Sequence, residues 1–377
     1  MTSKESWQTA HLEGLHGFRI TLILKLKSSY YPMKTRSTAA CAAMQKCRDV
    51  LRRKHYALTT EQVYCQHIGS YIDWLLEHRE TIGKWKESGD KVKAFLTSMA
   101  HRGCAASTQN QAFNALLFFY EQVRGEKLPE IQVLRAKESR HKRTALPKEQ
   151  TLALLRAVPD VGGYPTSLVA WLLYGCAMRV SEPLNLRIKD IDTTAWRLTL
   201  RGCKGGKDRT VIVPECLRAA VVKQMAFAKA LWERDRETGL PVEVPGLLAR
   251  KYPKAPHAWQ WFWLFPAHGA CQHPRTGETV RWRMHEVNVQ RAVKKAAEFM
   301  GLEGLATPHV LRHCCATHIL DAGGNVRDVQ DLLGHASLNT TMIYIHGDGE
   351  RVRSPLDTLA TLPANVVPFE QAAAAAA

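Results

Sequence analysis

Apolar residues recur at helical spacing along most of this chain, and only one segment well inside it alternates clearly. In "LTTEQVYCQHIGSYIDWLLEH", Tyr64, Ile68, Tyr71, Ile72 and Leu75 form one stripe. In "ASTQNQAFNALLFFYEQV", Phe113, Leu116, Leu117 and Tyr120 form another. Such stripes bury one helix face in a helical core. Thr59 with Gln62, and Thr108 with Gln111, have capping-box spacing and mark the expected helix starts. The exception is "WRLTLRGCKGGKDRTVIVP". Leu198 and Leu200 alternate with polar residues, Gly205–Gly206 allow a turn, and Val211 and Val213 resume the pattern, predicting a β-hairpin or small three-stranded sheet. The fold class that follows is mainly α with a small β-sheet.

At 377 residues, the chain exceeds what one core commonly organises, so two domains are expected. The segment "RGEKLPEIQVLRAKESRHKRTALPKEQ" divides them, gathering Arg135, Lys137, Arg140, His141, Lys142 and Arg143. It reads either as a solvated linker or as a strand lying along phosphates. The formal net charge of +17 points to a polyanionic partner, nucleic acid first and an acidic membrane surface second. The early apolar run "FRITLILKLK" falls short of the ~20 residues a spanning helix needs, and no cleavage site follows it. It reads as a short strand or appendage, and residues 1–33 receive no function. The ten cysteines form no C-x-x-C pair, as expected of a reduced, cytoplasmic protein. His268, Cys271 and His273 lie close in sequence, but with no fourth ligand evident they do not make a zinc site.

Three further fragments carry chemistry. In "ATPHVLRHCCATHIL", Thr307 is a plausible N-cap and Pro308 a first helical residue, which sets His309 and Arg312 on one face of a first turn. "LLYGCAMRVSEPLNLRIKDID" places Arg179 at the end of an apolar helix with Glu182 at ion-pair spacing. "DLLGHASLNTTMIYIHG" places His335 after a helix-ending glycine and Tyr344 nine residues later. Each fragment alone has a structural explanation: a solvated turn, a surface ion pair, a cap or a core aromatic.

Taken in order with Lys204, they resemble the tyrosine recombinases, the phage-integrase-like DNA breaking and joining enzymes. The resemblance covers about residues 45 to 360 and implies a two-domain C-shaped clamp. Its domains would be a helical core-binding (SAM-like) DNA-binding domain over 36–126, a basic linker over 127–144 and a catalytic domain over 145–360. An insertion at about 245–275 interrupts the catalytic domain, and a tail over 361–377 follows. The implied catalytic set is Arg179, Lys204, His309, Arg312, His335 and the nucleophile Tyr344. Two guanidiniums can grip phosphate oxygens in charge-assisted bonds, and the grip counts most where charge develops in the transition state. His309 would serve as acid/base partner, His335 would donate to the phosphate and Lys204 would protonate the departing 5′-oxygen. A 3′-phosphotyrosyl intermediate stores the bond energy, so neither metal nor other cofactor is implied.

"RRKHYALTTEQVY", "KAFLTSMA", "CAASTQNQAFNALLFFY", "LARKYPKA", "VRSPLD" and the insertion "LLARKYPKAPHAWQWFWLFPAHGACQHPRTGE" are most similar to the integron integrases. That branch implies recombination of gene cassettes, with folded single-stranded cassette sites and a duplex integron site as DNA partners. It also implies a homotetramer in the synaptic complex and no membrane. Candidate DNA contacts are Lys54, His55, Tyr56, Gln109 and Asn110, with Trp259, Pro266 and His273 receiving extruded bases. Trp259, Trp261, Phe262 and Trp263 also read as a buried aromatic cluster. The sequence departs from the family at Ala177, where a glycine is usual, and at Trp282–Arg283, where a His–His pair is usual. It is also shortened after Tyr344. The alternative is the same chemistry on ordinary duplex sites, as in phage integration or chromosome-dimer resolution. A non-catalytic DNA-binding relative is a further alternative.

Overall fold

The computed structural model describes residues 36–83, 87–128, 145–202, 208–246, 248–334 and 341. The alternating stretch at 18–27, most of the basic linker, Lys204, His335, Tyr344 and the tail lie outside these residues. The described residues fall into two compact units, divided between His141 and Lys142.

The first unit is helical: α1 (Thr38–Arg53), α2 (Leu58–Glu77), α3 (Arg79–Ile82), α4 (Ser88–His101) and α5 (Ala106–Phe118). A π-helical turn, Phe119–Arg124, extends α5. Ile68, Tyr71, Phe113 and Leu116 are buried, as the apolar stripes require. The tyrosines Tyr71 and Tyr120 meet through their hydroxyls at 2.7 Å, which satisfies both inside the core. The expected capping boxes are not used. Helix α2 starts after Ala57 and α5 after Ala105, without a side-chain cap in either case. At α2 the buried Glu61 pairs with Arg52 of α1 at 2.9 Å. At α5 the Gln109 amide donates to the Cys104 carbonyl at 2.8 Å.

The second unit is organised around α7 (Thr166–Gly175), all ten residues of which are buried. A helix apolar on every side belongs at the centre of a core. Around it pack α6 (Lys148–Ala157), α9 (Glu215–Glu237), α11 (Glu286–Phe299) and α12 (Pro308–Asp321). The short helices α8 (Ser181–Leu184) and α10 (Leu248–Lys251) and the later α13 (Val326–Leu333) complete the set. The alternating segment forms the predicted small sheet: β1 (Ile191–Asp192), β2 (Arg197–Leu200) and β3 (Arg209–Ile212), antiparallel in that order. Leu198, Leu200, Val211 and Val213 are its buried face. A second hairpin, β4 (Pro266–Gln272) and β5 (Thr279–Arg283), rises from the insertion. The chain is thus mainly α with small sheets, in two domains. Cys314 and Cys315 are both buried in α12.

Candidate active site

Helix α7 leads to the first candidate residue. Beyond Gly175 the chain passes through Cys176, Ala177 and Met178, all fully buried, before Arg179. The reversal occurs at Ala177, whose φ of +48° is left-handed. This is where the family usually has glycine, because an L side chain in that region costs roughly 1–2 kcal/mol. The turn presents the Ala177 carbonyl inward, where Nη1 of Arg312 donates to it at 2.6 Å.

Glu182, one turn beyond Arg179, is 8% exposed and gathers three arginines. Its carboxylate accepts from the Arg179 amide at 2.6 Å and from Nη1 of Arg179 at 2.8 Å. Arg209 of β3 donates to both oxygens, at 2.6 and 2.7 Å. Nη1 of Arg312 stands 3.6 Å away. Burial alone would push this carboxyl up. The hydrogen bonds and charge of Arg209, the Arg179 amide and the charge of Arg312 outweigh burial and hold it down at about 2. The i, i+3 pair foreseen between Arg179 and Glu182 exists, but it is one edge of a larger cluster. A cleft of about 200 Å³ opens beside it, lined in part by Arg179, Ser181, Asn185, Thr199 and Arg201.

The third element is α12, and its local sequence acts as expected. The Thr307 hydroxyl accepts from the Val310 amide at 3.3 Å, and Pro308 fills the first helical position. His309 is exposed on the first turn, and Arg312 follows it three residues later with only 3% of its side chain exposed. Arg312 also donates from Nη2 to the Leu333 carbonyl at 2.5 Å. Arg209 donates from Nε to the Leu332 carbonyl at 3.0 Å. Both carbonyls belong to the last turn of α13, where no intrahelical donor remains. Gly334 ends that helix with φ +61°, immediately before His335. The two arginines therefore fix the end of α13.

In the insertion, much of the aromatic cluster is structural. Phe262 and Trp263 are buried, and the Arg187 guanidinium lies 3.7 Å from the Trp263 ring centroid. Lys189 Nζ sits 3.2 Å from that of Trp261. Pro266 is buried at the first position of β4 opposite Arg283, so its ring offers no open face to a base. Trp259 is half-buried, packed on Trp232 and Phe262 at centroid distances of 5.6 and 6.1 Å. His273, also half-buried, accepts from the Arg275 and Thr276 amides through Nδ1 and lies 5.2 Å from the Trp282 ring. Asp235 of α9 grips Arg281 of β5 at 2.5 Å in a pair that is 5% exposed on each side, anchoring the hairpin. His268 stacks on Tyr164 at 4.0 Å. Among the described residues no three His, Cys, Asp or Glu side chains converge to hold a metal.

In the first unit, Lys54, His55 and Tyr56 form the exposed turn between α1 and α2, with His55 left-handed at φ +56°. The Tyr56 ring packs edge-on against Phe118 at 5.6 Å. Gln109 and Asn110 lie half-buried on the first turn of α5. No helix among the described residues is long and apolar enough to cross a membrane.

Arg179 and Arg312 are thus brought together at Glu182, with His309 exposed one turn before Arg312 on α12, while Lys204, His335 and Tyr344 lie outside the described residues. The roles of Glu182 as organiser and of Arg209 as its bidentate partner were not legible in advance. Only the spacing of Glu182 from Arg179 hinted at the first, and nothing local marks the second. A paired-arginine centre around one carboxylate, with a histidine on the adjoining helix turn, defines a site suited to a phosphodiester.

Comparison with known proteins carries this further. The phage integrase family matches residues 144–351, and the phage integrase N-terminal SAM-like domain matches residues 44–130. An integrase/recombinase of Escherichia coli is 40% identical over 326 residues, spanning 85% of this chain and 94% of that protein. The tyrosine recombinase XerD of Agrobacterium fabrum is 29% identical over 311 residues, 77% of this chain and 87% of its own. Among solved structures, a lambda integrase tetramer bound to a Holliday junction aligns with a TM-score of 0.54 at 14% identity, covering 85% of this chain and 81% of that one. The chain belongs to the phage integrase family and is a tyrosine-type site-specific recombinase.

Proposed function

We propose that this recombinase integrates and excises gene cassettes, acting on folded single-stranded cassette sites and a duplex integron site. The gathering of Arg179 and Arg312 around Glu182 is the observation that carries the chemistry. Arg179 and Arg312 hold the scissile phosphate's non-bridging oxygens, strengthening their hold as charge accumulates. The Tyr344 oxygen attacks phosphorus while His309 accepts its proton, and the bond to the 5′-oxygen breaks. Lys204 gives that oxygen a proton, and His335 donates to the phosphate. Attack by a second 5′-hydroxyl then reverses these steps and frees Tyr344. Four protomers on two sites exchange strands in this way, as the lambda integrase neighbour's tetramer on a Holliday junction suggests.

The cassette reading rests on the 245–275 insertion, in which Trp259 and His273 keep part of their surface exposed. Lys54, His55, Tyr56, Gln109 and Asn110 contact DNA from the first unit, while Pro266 backs the hairpin. The second reading, recombination of duplex sites only, is favoured by the Xer relatives and by the burial of Phe262, Trp263 and Pro266. Covalent trapping on nicked suicide substrates tests the chemistry: the parent should yield a phosphotyrosyl adduct and Tyr344→Phe none. Running the same assay on the folded strand and on its duplex separates the readings. Adduct formation on the duplex alone would rule out the cassette reading.

A further inference from the structure

Arg209 lies outside the six residues given a role in the reaction, yet its side chain makes three hydrogen bonds within the cluster. Its side chain is 9% exposed, so it has little surface to offer a phosphate. Both terminal nitrogens are spent on Glu182, one on each oxygen, at 2.6 and 2.7 Å, and Nε is spent on the Leu332 carbonyl at 3.0 Å. A Cβ added to Gly334 would stand 2.9 Å from Cδ of Arg209, so the α13 terminus closes tightly over the side chain.

The charge balance around Glu182 gives this geometry a purpose. One carboxylate faces three guanidiniums. A carboxylate deprived of Arg209 has only Arg179 and Arg312 to pair with, and both sit within 3.6 Å of it. It would then draw further N–H groups of Arg179, and half of the two arginines' combined charge, away from a bound phosphate. With Arg209 covering both oxygens fork to fork, Arg179 keeps a single side-chain bond to Glu182 and Arg312 keeps a longer contact.

We propose that Arg209 is a positioning residue for DNA cleavage: it saturates Glu182, so that the more exposed Arg179 keeps donors, and Arg179 and Arg312 keep their positive charge, for the scissile phosphate, and it pins the end of α13, whose Leu333 carbonyl Arg312 also holds. The proposal rests on the recombinase reading given above. It differs from a purely structural role in one respect. If Arg209 acts by restraining Glu182, removing the carboxylate's charge should compensate for its loss.

The test is single-turnover adduct formation on a nicked suicide substrate by the full chain, with duplex binding and thermal melting measured in parallel. Arg209→Ala should slow cleavage by about 100-fold, the lower end of what losing one electrostatic contact in an active site costs. Its DNA affinity should stay within about threefold of the parent, because the buried side chain adds little to the many phosphate contacts. Arg209→Lys, which keeps the charge but reaches one oxygen, should fall between the two and guards against a misfolded alanine variant. In Arg209→Ala/Glu182→Gln, cleavage should recover about tenfold or more over the single variant, a coupling expected only of groups that act on one another. The proposal is overturned if Arg209→Lys and Arg209→Ala both cleave at the parental rate. It is equally overturned if the double variant is no faster than Arg209→Ala. A parent that forms no adduct would overturn the recombinase chemistry itself, a result distinguishable from either.

Discussion

Replacing Glu182 by glutamine tests whether one buried carboxylate holds the site together. The substitution preserves shape and removes the charge, leaving the guanidiniums of Arg209 and Arg312, 9% and 3% exposed, without their counter-ion. Breaking a buried pair from one side typically costs about 3–5 kcal/mol. An independent figure comes from the carboxyl's descent from 4.5 to about 2. At about 1.4 kcal/mol per pH unit, that descent corresponds to about 3 kcal/mol of stability at neutral pH. Glutamine still accepts one hydrogen bond, so a loss of about 3 kcal/mol is expected. Because the folded-state value is depressed, the contribution is complete above the unfolded value near 4.5 and is lost as pH falls through about 2. Urea unfolding followed by tryptophan fluorescence, repeated between pH 7 and pH 2, measures both features. The gap between parent and variant should be widest at pH 7 and should close as the pH falls through that window. A gap below about 0.5 kcal/mol at pH 7, the scale of an ordinary surface substitution, would refute the cluster's energetic role. So would a gap that persists undiminished at pH 2.

Ala177→Gly should raise the urea midpoint, since relief of the left-handed strain, about 1–2 kcal/mol, exceeds the entropy that glycine adds to the unfolded chain. An unchanged or lower midpoint would show that the turn carries no strain. Trp259→Ala should weaken binding to the folded cassette strand much more than to a duplex, since base–aromatic stacking is worth about 1–3 kcal/mol. Gel-shift titrations on both substrates check it, and equal losses would assign Trp259 to the core it shares with Trp232 and Phe262. Duplex affinity should fall with salt at a log–log slope of about −0.9 per phosphate neutralised, and a flat response would remove the argument from net charge.

Local physics was legible before any coordinates. The stripe through Ile68 and Tyr71, the alternation through Leu198 and Val211, and the Thr307–Pro308 start of α12 depend on neighbours within a few residues, and each appears where the sequence places it. The starts of α2 and α5 were not legible: both helices begin ahead of the threonines expected to cap them, and neither uses a side-chain cap. The placement of His309 and Arg312 on one turn could be read for the same local reason, since a histidine and an arginine three residues apart share a helix face whatever surrounds them, whereas the candidate catalytic set as a whole came from the family resemblance. What only the tertiary structure decided is how the residues are held. Arg209 reaches Glu182 across 27 positions of sequence and the Leu332 carbonyl across 123, and Arg312 reaches the Ala177 carbonyl across 135. Such bonds leave no periodicity or spacing behind. They exist because α7, β3, α12 and α13 converge on one point, where a buried charge must find its partners or be expelled.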